Sequence, residues 1–306
     1  MSMPARLTGV IPPVCTPLTP EGEVDTHSLL KLVDHLAGAG VDALFVLGST
    51  SEVAFLTDTR RRTVVETVTA HLDGSLPVLA GAIDTTTPRV LAHARTALAA
   101  GADAVVATVP FYTRTHPAEI DRHYRLLAEH TGAPVVAYDL PVAVQTKLDP
   151  DVVLSLAADG VLTGLKDSSG DQAALREVIT AAIPGFSVLT GSELLVDTAL
   201  LMGADGVVPG LGNVDPHGYV RLFRLCAAGD WDRARTEQER LCNLFAMVDV
   251  GSADRMGRGS SGIGAFKAAL RLRGVIDHAT TAEPQIPLSD GEVERVAKYL
   301  AAAGLL

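Results

Sequence analysis

The chain has 306 residues, 47% hydrophobic and 20% charged, and 25 Lys+Arg stand against 36 Asp+Glu, a formal charge of −11. That balance is globular and excludes disorder as the main state. The acidic excess leaves no electrostatic footprint for nucleic acid or an anionic membrane, and no apolar run approaches the roughly 20 residues of a membrane span.

The opening stretch MSMPARLTGVIPP carries one Arg and no apolar h-region, so no secretory signal is read there. Cys15, Cys226 and Cys242 are odd in number, form no CxxC pair and have no His at ligand spacing. A disulfide framework or zinc site is therefore not expected. A reducing cytoplasm is, with the thiols packed as small hydrophobes in or near the core. At about 150 residues per domain the length suggests two domains, but a single (β/α)8 barrel commonly reaches about 250.

Along the chain, short apolar runs recur: Gly9–Thr16, Ala43–Leu47, Pro77–Gly81, Ala104–Thr108, Pro134–Tyr138, Val161–Lys166, Phe186–Thr190 and Asp205–Pro209. Continuous apolar runs suit strands buried on both faces, as in a parallel sheet. Amphipathic stretches separate them, among them Thr26–Gly40, Asp58–Leu72, Thr87–Gly101 and Pro117–Thr131. Thr57 and Asp58 offer N-cap oxygens, while Gly40, Gly101 and Gly132 stand where helices should stop. Eight strands in strict βα alternation, with no GxGxxG after the first, predict a closed (β/α)8 TIM barrel over residues 1–229 instead of a doubly wound sheet. Residues 230–306 then form a three-helix appendix: Trp231–Val250, Gly262–Gly274 and Ser289–Ala303. The Gly/Ser-rich Gly251–Gly262 reads as a surface loop, or as a lid.

In such a barrel the active site lies where strands end. Of the five lysines only Lys166 closes an apolar strand. An ammonium so placed loses hydration, which favours the neutral amine that attacks a ketone. The alternative is a lysine that snorkels to solvent or pairs with a carboxylate such as Glu52. Tyr138 ends the fifth strand, as a proton shuttle or as an amphipathic ring at the rim. Gly48-Ser49-Thr50-Ser51-Glu52 follows the second strand and suits gripping a carboxylate, or merely caps the next helix. Tyr112 is a second tyrosine near the mouth, after the fourth strand.

Together, Gly48-Ser49-Thr50-Ser51-Glu52, Tyr138-Asp139-Leu140-Pro141 and Gly164-Leu165-Lys166-Asp167, in that order, resemble the dihydrodipicolinate synthase / N-acetylneuraminate lyase superfamily of class I, Schiff-base pyruvate aldolases. The likeness runs from Gly9–Asp25 to Ala204–Pro216, over a barrel followed by three helices. The resemblance implies that Lys166 forms an imine with pyruvate and that Tyr138 moves protons. It implies that Ser49 relays them between Tyr138 and a neighbouring subunit's copy of Tyr112. Ser49 and Thr50, with their backbone N–H groups, would hold the pyruvate carboxylate, with Gly48 and Val208 completing the substrate-binding set. A homotetramer built as a dimer of dimers and the absence of any metal or organic cofactor follow from the same likeness.

Departures from the family pattern bear on the second substrate. Ala143 stands where dihydrodipicolinate synthases carry the Arg that binds aspartate semialdehyde. A methyl cannot replace a bidentate guanidinium. Ser51 replaces a usual glycine, Asp139 a usual asparagine, and Val208-Pro209-Gly210 a usual Ile-Ser. The expected reaction is aldol cleavage or formation of a 2-keto-3-deoxy sugar acid or related keto acid. The alternatives are dihydrodipicolinate synthesis, a dehydratase or hydratase using the same imine, and a non-catalytic keto-acid sensor.

Other constellations read as bland. His116, His123 and His130 recur every seven residues, not at ligand spacing, and suggest one solvated or interface face of a helix. Gly210-Leu211-Gly212-Asn213 reads as a turn in preference to a phosphate site, and Glu237 and Glu239 as solvated charge.

Overall fold

The apolar runs pair side by side into one sheet in a computed structural model that describes residues 6–306. The strands are β1 (Gly9–Val10), β2 (Leu44–Val46), β3 (Val78–Gly81), β4 (Ala104–Thr108), β5 (Val135–Asp139), β6 (Gly164–Asp167), β7 (Ser187–Thr190) and β8 (Gly206–Val207). All seven ladders are parallel, in the order β1-β8-β7-β6-β5-β4-β3-β2. The remaining seam, β1 to β2, closes through a bridge between Pro13 and Phe45 and a 2.8 Å bond from the Val14 N–H to the Phe45 carbonyl. The result is a TIM barrel. Pro12 and Pro13 have no N–H to give, which is why the first run contributes only two ladder residues. At the β1–β8 seam a Cβ on Gly206 would lie 2.3 Å from the Gly9 carbonyl oxygen, so only glycine permits that approach.

Helices α1 (Thr26–Gly38), α2 (Asp58–Leu72), α3 (Thr87–Ala99), α4 (Pro117–Thr131), α5 (Pro141–Val144), α6 (Pro150–Ala158), α7 (Gln172–Thr180), α8 (Val196–Met202) and α9 (Pro216–Ala227) follow or flank the strands. The start signals work locally. Thr57 accepts from the Arg60 N–H, and Gly132 ends α4 in the left-handed region at φ 62°. Strand residues alternate between two apolar layers. Ile11, Phe45, Leu79, Val106, Val136, Tyr138, Leu189 and Val208 fill the barrel. Val105, Ala107, Val135, Ala137, Leu165 and Val188 face Leu127, Leu156 and Leu175 of the surrounding helices.

Helices α10 (Trp231–Phe245), α11 (Arg258–Leu272) and α12 (Asp290–Ala302) complete the chain, their Leu241, Phe266 and Leu300 sharing a core with Leu29, Val46 and Val207. Three expectations need correction here. The helix from Trp231 gives way at Ala246 to a 3-10 turn. Helix α11 begins at Arg258, so the end of the Gly/Ser-rich segment is helical. Its small residues pack closely: the Ser261 hydroxyl donates to the Val248 carbonyl at 2.6 Å and accepts the Gly251 N–H at 2.8 Å. Glu237 is not simply solvated, since it pairs with Arg221 and Arg240 at 2.8 and 2.6 Å.

The three histidines do not form one solvated face. His116 caps α4, with Nδ1 accepting from the Ala118 N–H at 3.2 Å, and His130 is exposed, but His123 is buried against Thr87 and Tyr124. Cys15 and Cys226 are buried and Cys242 is half-buried. Burial pushes the Cys15 thiol up to about 12 and the Cys226 thiol up to about 11, so neither reacts readily. No described helix is long and apolar enough to cross a membrane.

Candidate active site

Register decides which side chains meet at the barrel mouth. Thr108 of β4 lies opposite Tyr138 of β5, Tyr138 opposite Lys166 of β6, and Lys166 opposite Leu189 of β7. Side chains in one register row point to the same face. That face is the barrel interior, where Tyr138 and Leu189 join the apolar core. Lys166 is 4% exposed, and its Nζ stands 3.9 Å from the Tyr138 ring centroid and 5.1 Å from that of Phe45. The two rings meet edge to face at 6.3 Å. Space for the lysine stem comes from Gly191, where a Cβ would sit 3.1 Å from Lys166 Cε. The suggested pairing of Lys166 with Glu52 does not occur. Glu52 is bound to Lys267, and among the described residues no carboxylate reaches Lys166 within ion-pair distance. A buried amine at a strand end, with no ion-pair partner among the described residues, is placed to act as a nucleophile.

The loop after β2 is strained on both sides of the motif, with Leu47 at φ 58° and Glu52 at φ 61°. Such conformations cost of order 1–3 kcal/mol each and persist where the surroundings enforce them. Ser51, in the place of a glycine, does some of that enforcing. Its buried hydroxyl donates to the Val14 carbonyl at 2.5 Å and accepts the Gly48 N–H at 3.2 Å. Between them, the Ser49 and Thr50 N–H groups donate to no protein acceptor among the described residues. Two adjacent free N–H groups beside two hydroxyls can cradle a carboxylate. Gly48 lies over Phe45, where a Cβ would come within 2.7 Å of the ring, and Val208 lines the small space around Lys166.

Asp139 and Asp167, neighbours in the same register, face away from the barrel interior. Asp139 is buried and held by Lys147 and the Leu148 N–H, which explains a carboxylate where an amide is usual: Lys147 supplies the balancing charge. Burial pushes Asp167 above the usual carboxylate range, although the Ser169 N–H and hydroxyl hold it.

Tyr112 is not brought to Lys166 within one chain. It is 94% exposed on a strained turn at φ 78°, beside Arg114, Gln145 and Thr146.

Two mouth residues were not legible as such in the sequence. Thr108 ends the AVVAT run, is 1% exposed, and its hydroxyl has no protein partner. Its position as last residue of an apolar strand was the available signal. Glu193, half-buried after β7, takes the Gly210 N–H at 2.8 Å. Burial pushes its carboxyl up, and the charge of Lys166 opposes that shift. Among the described residues no cluster of three His, Cys, Asp or Glu has metal-binding geometry.

The chain is similar to known proteins over nearly its whole length. The model of the dihydrodipicolinate synthetase family matches residues 6–303. A 4-hydroxy-tetrahydrodipicolinate synthase of Porphyromonas gingivalis is 29% identical over 295 residues, 96% of each chain. The putative 2-dehydro-3-deoxy-D-gluconate aldolase YagE of Escherichia coli K12 is 33% identical over 254 residues, 82% of this chain and 84% of that one. The crystal structure of YagE in complex with pyruvate superposes with a TM-score of 0.91, at 29% identity, covering 98% of this chain and 99% of the other.

Proposed function

The chain belongs to the dihydrodipicolinate synthetase family, and from that premise we propose that it is a class I pyruvate aldolase. It cleaves or forms a 2-keto-3-deoxy sugar acid or a related 4-hydroxy-2-keto acid. The observation that carries this reading is Lys166, buried at a strand end over the Tyr138 ring with no carboxylate partner.

In this reading the Lys166 amine attacks C2 of the keto acid, and the carbinolamine loses water to give an iminium. In cleavage the C4 hydroxyl gives up its proton to Tyr138 and becomes the aldehyde. The C3–C4 electron pair moves to the iminium as an enamine. Protonation at C3 and hydrolysis release pyruvate and restore the amine. Ser49 and Thr50 hold the keto-acid carboxylate against Gly48, with Val208 as the wall. Ser49 relays protons between Tyr138 and Tyr112 of a neighbouring subunit. The exposure of Tyr112 on a strained turn is what a residue donated across an interface would show, and it supports a homotetramer. The enzyme works in the cytoplasm, where its free thiols stay reduced.

The test is sodium borohydride reduction in the presence of pyruvate, read by intact mass and peptide mapping. A stable adduct on Lys166 is expected. Folded protein with no adduct would remove class I chemistry and bring the keto-acid sensor forward.

A further inference from the structure

A cavity of about 460 Å³ opens between the ends of β2 and β4, α5 and the start of α11. Ser49 and Thr108 both line it, so it adjoins the carboxylate cradle and the register neighbour of Tyr138. Its walls are mostly hydrocarbon, with Phe55, Ile83, Phe111, Leu140, Ala143 and Ile263 prominent and Ser260 and Gln285 as further polar side chains. Phe55 is 44% exposed, a large apolar ring partly open at this cavity. Glu52 is the one charged lining residue, and its carboxylate is consumed by Lys267, the Ala282 N–H and the Gln285 amide. No cation lines this space, and Ala143 stands at its wall.

We propose that the aldehyde this site accepts or releases is neutral and predominantly apolar, a branched aliphatic or aromatic aldehyde. The keto acid is then a 4-hydroxy-2-keto acid with a hydrocarbon tail. A carboxylated or phosphorylated acceptor would meet no lining side-chain cation, only the N–H groups at the start of α11, and a polyhydroxylated tail would find few further partners beyond Ser260 and Gln285. The single C4 oxygen is matched by Thr108, whose hydroxyl is buried and unpaired without a ligand. Substrate binding therefore completes a hydrogen bond that the folded chain leaves open.

This proposal rests on the class I reading, and its test separates the two. Pyruvate release is followed from a 4-hydroxy-2-keto acid with a phenyl or isopropyl tail and from 2-keto-3-deoxygluconate. Condensation of pyruvate with aspartate semialdehyde is measured in parallel. The apolar tail is expected to lead by about tenfold or more in kcat/KM, the scale set by hydrophobic pocket contacts and unpaired polar groups. Ala143→Arg is expected to reduce that lead by about tenfold, while borohydride trapping of pyruvate reports that imine chemistry is intact. If pyruvate is trapped on Lys166 but the sugar acid or the semialdehyde is used as well or better, the apolar-acceptor inference is overturned and the class I reading stands. If pyruvate is not trapped by the folded wild type, both fall.

Discussion

Two lysines are buried in this protein, and their surroundings are opposite. Lys267 of α11 is wholly buried against the Glu52 carboxylate, with the Thr280 carbonyl accepting a further proton at 2.7 Å. The second oxygen of Glu52 takes the Ala282 N–H at 2.6 Å and the Gln285 amide at 2.9 Å. That pair fastens the 280–285 segment to the strained end of the strand-2 motif. Lys166 is nearly as buried but lies against two aromatic rings with no carboxylate at ion-pair distance, Glu193 acting on it only from farther away. A ring face attracts a cation by about 0.5–2 kcal/mol, less than a desolvated, hydrogen-bonded carboxylate does. Burial is common to both lysines, and the ion pair ties one into the structure while leaving the other free to meet a ligand.

Replacing each lysine by methionine, which keeps length and removes charge, should make the contrast measurable. Lys166→Met is expected to lower turnover by about 10⁴-fold or more, because loss of the covalent nucleophile leaves only binding. Pyruvate should no longer be trapped. Thermal stability should stay level or rise, since the ammonium has no counter-ion to lose. An adduct persisting in this variant would move the chemistry to another amine.

Lys267→Met is expected to act the other way. It strands the Glu52 carboxylate in the interior, which costs about 3–5 kcal/mol, read as a lower urea midpoint. Glu52→Gln together with Lys267→Met should recover most of that loss, since the amide can still accept from Ala282 and Gln285. A single variant within about 1 kcal/mol of wild type would show that the pair is not the clamp described here.

The contrast also explains what could be read in the chain. Lys166 and Tyr138 were legible because each ends an apolar run, and in a closed parallel barrel the end of a run is the mouth. The eightfold alternation was legible for the same reason. Lys267 was not, because in Gly262–Gly274 it looks like an ordinary helix lysine. Its burial depends on a carboxylate more than two hundred residues away. Thr108 is silent in the sequence because a threonine in a strand carries no chemical label. Only register against Tyr138 and the absence of a partner single it out. The start of α11 is hidden by glycines that read as loop, of which Gly262 packs on Val248 while Gly257 and Gly259 meet nothing.

His123 sharpens the comparison from a third side, since it buries a basic nitrogen by staying neutral. It sits 1% exposed in α4, Nδ1 at 2.9 Å from the Thr87 hydroxyl and the Tyr124 ring at 5.1 Å, with no carboxylate bound to it. Burial pushes its pKa down to about 4, against the usual value near 6.5. Protonation therefore favours the unfolded chain. The stability His123 provides is complete above about pH 6.5, falls progressively as the pH drops from there to about 4, and changes no further below. Between pH 7 and 5 this amounts to about 2 kcal/mol, less than the loss expected for Lys267→Met. Urea titrations at the two pH values should show that loss in the wild type and a smaller one in His123→Gln, whose amide keeps the Thr87 bond without a titratable ring. An equal loss in both would assign the acid sensitivity to the buried carboxylates and leave His123 as packing alone.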